Sequence, residues 1–85
     1  MKIDPLIKMA NEMAAFFQTE GGPDHAADLM ATHLRRYWEQ RMRREIIAHY
    51  RRGGGGLNEL SLKSVGILAA DAAPEPDPAT GGDAG

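Results

Sequence analysis

The chain contains no cysteine. Disulfides are therefore excluded, and so is any cysteine-ligated zinc or iron–sulfur site within it. It has no apolar run near the roughly 18 residues that a membrane-spanning helix requires. Its opening, MKIDPLIKMANEM, is interrupted by Asp4, Pro5 and Lys8 and does not read as a signal peptide. No stretch alternates apolar and polar residues in the manner of a strand, and no segment repeats. Aromatic residues make up only 6%, with a single Trp. What remains is 85 residues of ordinary globular composition, 42% hydrophobic and 26% charged, enough for at most one domain. A core drawn from so short a chain is marginal, and a partner would help it. The expectation is a soluble, cytoplasmic protein without membrane contact.

Charge is the uneven quantity. The formal net charge is −2. Yet residues 32–52, THLRRYWEQRMRREIIAHYRR, carry seven arginines against Glu39 and Glu45, a local +5. This stretch also holds the Trp, both Tyr and two of the three His. Acidic arms flank it on both sides. A basic, aromatic segment between acidic arms suggests the surface that holds a partner.

Periodicity divides the chain into helices. Asp4-Pro5 reads as an N-cap and first helical residue. Leu6, Ala10, Met13 and Phe17 then recur at helical spacing, with Ile7, Ala14, Met9 and Phe16 beside them. Lys8, Asn11, Glu12 and Gln18 fall on the opposite half. That pattern predicts a helix over about 5–18, closed by Gly21-Gly22. Pro23-Asp24 reads as a turn and second N-cap, and Ala26, Met30, His33 and Tyr37 mark a helix over about 25–38. Nothing in WEQRMRR breaks a helix. Running on to Arg52 would give a helix of nearly thirty residues and leave the first one little to pack against. A bend is therefore placed near Trp38-Glu39-Gln40. Met42, Ile46, Ile47, His49 and Tyr50 predict a third helix over about 40–52, stopped by Gly53 to Gly56. Leu57, Leu60, Val65 and Leu68 give a weak fourth element over about 58–69, with Ser61, Ser64 and Gly66 against it. Residues 71–85 are Pro, Gly, Ala and acid with no large apolar side chain, and read as a disordered tail. The fold class is a small all-α domain, residues 1–70, with that acidic tail.

Catalytic groupings are scarce. His25, His33 and His49 never fall four apart, so no metal site is expected. His33 reads as a partly buried, hydrogen-bonded helix residue and the other two as surface residues. Ser61 and Ser64 have no base beside them. The four consecutive glycines follow a helix and precede no Lys-Ser/Thr, so they are not a phosphate loop. No catalytic, cofactor-binding or metal residues are expected.

The basic segment is therefore the candidate site. Glu39 can reach Arg35 and Arg43, and Glu45 can reach Arg41, in exposed pairs worth about 0.3–0.5 kcal/mol each. Those pairs leave Arg36, Arg44, Arg51 and Arg52 unmatched. Arg43 falls inside the apolar arc of the third helix, where a partner's carboxylate or carbonyl could meet it. Trp38 falls at the margin of the second helix's apolar stripe, next to Arg35 on the wheel, and Trp and Arg are the residues most enriched at binding hot spots. The expected contact residues are Leu34, Arg35, Arg36, Trp38, Arg41, Met42, Arg43 and Arg44, with Trp38, Met42 and Arg43 at the centre.

At these residues the chain resembles a known family. Lys8-Met9-Ala10-Asn11 with Phe16-Phe17, then His33-Leu34-Arg35-Arg36-Tyr37-Trp38 and Arg41-Met42-Arg43, then His49 and the glycines, resemble the delta subunit of NAD-dependent, molybdenum-containing formate dehydrogenases. The likeness covers about residues 7–60. Where Glu39-Gln40 stands, the family usually has Asp-Pro, an N-cap and first helical residue, which agrees with a bend there. The resemblance implies an accessory subunit that is not itself an enzyme and supports assembly, cofactor insertion or stability. Its partner would be the large alpha subunit, which carries molybdenum–pterin and iron–sulfur clusters, in a complex whose beta and gamma subunits carry FMN, the NAD site and further clusters. The complex would oxidise formate and reduce NAD, and this chain would bind none of those groups. The residues by themselves leave two other readings open: a small nucleic-acid binder using the Arg-rich third helix, and a self-associating bundle whose basic middle meets its acidic tail.

Overall fold

The structure, a computed structural model, describes residues 2–72. They form four helices, α1 (Ile3–Phe17), α2 (Pro23–Tyr37), α3 (Gln40–Arg51) and α4 (Glu59–Asp71), and no strand. The all-α class is as expected, while most of the tail predicted as disordered lies outside the described residues. α1 starts earlier than its sequence suggested, because Lys2 holds the extended backbone that precedes it. Asp4 and Pro5 fall within the first turn, where amides lack helical partners and negative charge favours the helix dipole. In the same way Gly22 precedes α2 and Pro23 is its first residue.

The bend between α2 and α3 is real. Trp38 (ψ 139°) and Glu39 (ψ 152°) are extended, although the Trp38 amide still donates to the Leu34 carbonyl at 3.0 Å. No proline forces this elbow. Its cause is packing: the turn lets the indole enter the core, where only 6% of Trp38 is exposed, and lets Ile46 and Ile47 of α3 join it. α1 and α4 each pack against all the other helices, whereas α2 and α3 scarcely touch. The two consecutive helices therefore lie on opposite flanks of an α1–α4 pair.

α4 corrects the sequence reading most. It is a full helix of 13 residues, capped by the Asn58 side chain, which accepts from the Ser61 amide at 2.8 Å. Its most extensive contacts are with α2. Ser61 and Ser64, counted as weaknesses in isolation, are wholly buried. Small side chains let α4 approach α2, which itself buries Ala26, Ala27 and Ala31. Gly66 serves similarly, since a β-carbon there would meet the Tyr50 hydroxyl at 2.9 Å. The Ser64 hydroxyl has no hydrogen-bond partner among the described residues. A buried unsatisfied polar group costs about 1–3 kcal/mol. Ser64→Ala keeps the β-carbon, removes that cost and improves helix propensity. It is expected to raise stability by about 1 kcal/mol, read as a higher urea midpoint with an unchanged slope.

The glycine run ends α3 as expected. The Gly54 amide reaches back to the His49 carbonyl at 3.0 Å, and Gly54 (φ +66°) is buried against Leu62. His49 is not the surface residue the sequence suggested. It is half-buried, and its Nε2–H donates to the Gly55 carbonyl at 2.6 Å.

Candidate docking interface

The arginines of the basic segment divide by what holds them. Arg35, in the last turn of α2, pairs with Asp71 at the end of α4 at 2.6 Å. Arg43 is half-buried, and its Nη1 donates to the Arg35 carbonyl. That carbonyl is one of those left without a helical partner at the end of α2, so a cation satisfies it in both hydrogen bonding and dipole. The group that meets Arg43 thus belongs to its own chain. Arg51 donates to the Ala69 carbonyl at 3.4 Å, tying α3 to α4. Arg36, Arg41, Arg44 and Arg52 are exposed. Of these, the side chains of Arg36, Arg41 and Arg52 make no hydrogen bond or ion pair among the described residues.

None of the three expected local ion pairs forms. Glu39 sits in the extended elbow, off the helical spacing that would set it beside Arg35, and Arg43 turns instead toward the end of α2. Arg41 and Glu45 remain apart on the surface, where such a pair would contribute only a few tenths of a kcal/mol.

The apolar members of the expected contact set lie inward. Leu34 is fully buried, Trp38 nearly so, and Met42 is half-buried against the core. Trp38 was expected at the margin of its stripe. The elbow swings it beneath the helix ends, because a chain with so few aromatic residues has little else to fill that volume. Of the eight residues, Leu34 and Trp38 belong to the buried core with Met42 packed against it, Arg43 is tied to the Arg35 carbonyl, and Arg35, Arg36, Arg41 and Arg44 are exposed.

α3 adds a feature not named as a unit in the sequence. Arg41, Arg44, Ala48 and Arg52 recur at i, i+3, i+7 and i+11, on the side away from buried Ile46 and Ile47. The outer side of α3 therefore carries Arg41 and Arg44, with Arg52 at its C-cap and Ala48 and Glu45 among them. The signal was available as a polar stripe, but it reads as a stripe only once the apolar arc of α3 is fixed.

Catalytic geometry does not emerge elsewhere. His33 stacks between Phe17 and Tyr37, with ring centroids 5.6 and 4.6 Å away, and lacks the hydrogen bond expected of it among the described residues. A cleft of about 390 Å³ between the ends of α1, α2 and α4 offers Glu59 and Lys63, and no imidazole or hydroxyl. No three His, Asp or Glu side chains among the described residues converge as metal ligands. Nor is any described helix long and apolar enough to cross a membrane.

The model of the NADH-dependent formate dehydrogenase delta subunit family, FdsD, matches residues 5–65. The chain belongs to that family. No curated protein and no solved structure matches it. The matched span runs from α1 into α4, so the family's sequence pattern can be read against the packing of this delta subunit. Ala10, Leu34 and Trp38 are core residues, Asn11 joins three elements by hydrogen bonds, and Arg43 ties the elbow. Lys8, Arg36 and Arg41 are exposed motif positions whose side chains make no hydrogen bond or ion pair among the described residues.

Proposed function

We propose that this delta subunit is a non-catalytic accessory chain, docked on the large catalytic subunit of its formate dehydrogenase through the basic surface of the elbow and outer α3. The contact residues are Arg36, Arg41, Arg44 and Arg52, with Arg35 at the edge and Leu34, Trp38, Met42 and Arg43 holding them in place. The observation that carries this reading is the line of exposed arginines along α3 in a chain whose net charge is −2. Arg is suited to bidentate capture of carboxylates, and a matched acidic surface would steer the encounter. The family supports a protein partner over nucleic acid, and so do the acidic arms.

In this reading the subunit supports assembly, cofactor insertion or stability of the holoenzyme. Molybdenum–pterin, iron–sulfur clusters, FMN and the NAD site belong to the alpha, beta and gamma subunits, and a cytoplasmic location follows from that company. A chain without cysteine has no thiolate to offer a cluster.

The test is charge reversal in the complex. Arg41→Glu with Arg44→Glu and Arg52→Glu places three repulsive charges at exposed positions on the outer side of α3 and its C-cap. The fold should persist, as circular dichroism would show. The delta subunit should be lost from the purified enzyme, with affinity down about 100-fold or more, since like-charge juxtaposition costs several kcal/mol. Unchanged subunit stoichiometry at physiological salt would sink the docking site. Removing the chain altogether, then measuring molybdenum content and formate-dependent NADH formation, tests the accessory role itself.

A further inference from the structure

The large hydrophobic residues that this domain leaves exposed are Met9 (41%), Phe16 (70%) and Tyr37 (69%). Scattered singly, they would need no explanation. They are not scattered. Met9, Met13 and Phe16 recur at i, i+4 and i+7 along one side of α1. Phe16 then packs edge-on against Phe17 at 5.2 Å, Phe17 against His33 of α2 at 5.6 Å, and His33 against Tyr37 at 4.6 Å. Four rings thus form a continuous ladder across the α1–α2 seam, with its two ends in solvent. Arg36, three residues beyond His33 on the same side of α2, is exposed and makes no ion pair among the described residues.

Resting on the docking role proposed above, we infer that this ladder is a second contact surface for the same partner, occupied by a segment of the catalytic subunit that carries an apolar side chain flanked by a carboxylate. The apolar group lies on the exposed faces of Phe16 and Tyr37, and the carboxylate meets Arg36. Aromatic rings with an adjacent guanidinium are the pairing that anchors protein interfaces, and Met9 supplies an adaptable edge. Tyr37 and Arg36 lie in the last turn of α2, directly before the elbow. The ladder is therefore continuous with the basic face, and one partner can reach both. Residues 73–85 of this chain do not suit the site, because they contain no aromatic residue and no aliphatic residue larger than alanine or proline. A second copy would bring its own Arg36 to the seam, like charge against like.

The experiment uses the complex purified through its catalytic subunit and washed at about 0.5 M salt, which screens the exposed charges of α3. Wild-type delta subunit should remain bound, while Phe16→Ser with Tyr37→Ser should be depleted about tenfold or more. Arg36→Glu should weaken binding at low salt as well. Because Phe16 and Tyr37 are mostly exposed, the double variant should melt within a few degrees of wild type. Identical retention of double variant and wild type overturns the inference. If the α3 charge reversal nonetheless releases the subunit, the basic docking face stands and only the ladder fails. If neither set of variants has an effect, both fail. Sedimentation of the isolated chain decides the remaining outcome: a dimer abolished by the double variant would assign the ladder to a second copy and overturn the inference.

Discussion

Trp38→Ala is expected to destabilise the isolated delta subunit by about 3–5 kcal/mol. The indole is 6% exposed and belongs to one cluster with Leu34, Ile46, Ile47 and Leu68. Its removal opens a cavity at the only place where the chain turns from α2 into α3. Helix ends fixed on both sides of an elbow cannot easily collapse into such a void, which places the cost high in the range. Domains of this size start with about 5 kcal/mol or little more, so the variant should retain at most about 2 kcal/mol and be substantially unfolded near physiological temperature. Trp38→Phe keeps part of the volume and should lose less. Urea denaturation followed by circular dichroism measures both. Wild-type fluorescence gives an independent check, since the chain has one Trp and a buried indole emits to the blue of a solvated one. If the variant kept its urea midpoint and lost only its partner, Trp38 would be a displayed anchor, and the packing described for the elbow would be wrong.

This result also separates two kinds of importance that the sequence presents together. HLRRYW reads as one motif, yet its residues do unlike work. Leu34 and Trp38 pack inward, Arg35 pairs with Asp71, and Arg36 points to solvent. Substitutions at the first two should lower stability and lose the partner only as a consequence. Substitution at Arg36 should do the reverse.

Much of the fold was legible because it rests on local rules. The four helices follow from apolar spacing, and the stop after α3 from consecutive glycines. The elbow at Trp38-Glu39 followed from a global argument, that a single long helix would leave α1 without a neighbour. What was illegible depended on which helices meet. Ser61, Ser64 and Gly66 weaken α4 as an isolated helix, and in the packed domain they are what lets α4 lie close to α2 and Tyr50. The same holds for the candidate site. A helical wheel placed Arg43 in an apolar arc correctly, but only the elbow brings the orphaned carbonyl of Arg35 within its reach. The wheel put Trp38 at a margin, and the bend moved it inside. The aromatic ladder could not be seen at all, because its rings come from two helices whose crossing is not written in either one.

Asn11→Ala is expected to cost about 2–4 kcal/mol, a large effect for a residue that the wheel of α1 assigned to the solvent half. The side chain spans three elements. Its Nδ2 donates to the Gly56 carbonyl at 2.8 Å, and its Oδ1 accepts from the Asn58 amide and the Ser61 hydroxyl, both at 2.9 Å. Each bond contributes about 1 kcal/mol net, and Ser61 is wholly buried, so its hydroxyl would also lose its acceptor. The glycine run supplies little stiffness of its own. Gly56 has φ +86°, and conformational freedom there is high once its carbonyl is released. Asn11 is thus the clamp that fixes where α4 begins. Asn11→Gln has the same donors and acceptors one methylene further out, and should recover little if position rather than polarity is what matters. Asn11→Asp keeps both acceptor contacts and sets a negative charge near the start of α4, where the dipole favours it, but it turns an oxygen toward the Gly56 carbonyl. Its stability should fall between wild type and Asn11→Ala. Amide hydrogen exchange gives the local readout: the Asn58 amide should lose protection in Asn11→Ala, while that of Ser61, held by the Asn58 side chain, should keep more of it. Equal stability of wild type and Asn11→Ala would mean that α4 is held by its contacts with α2 alone.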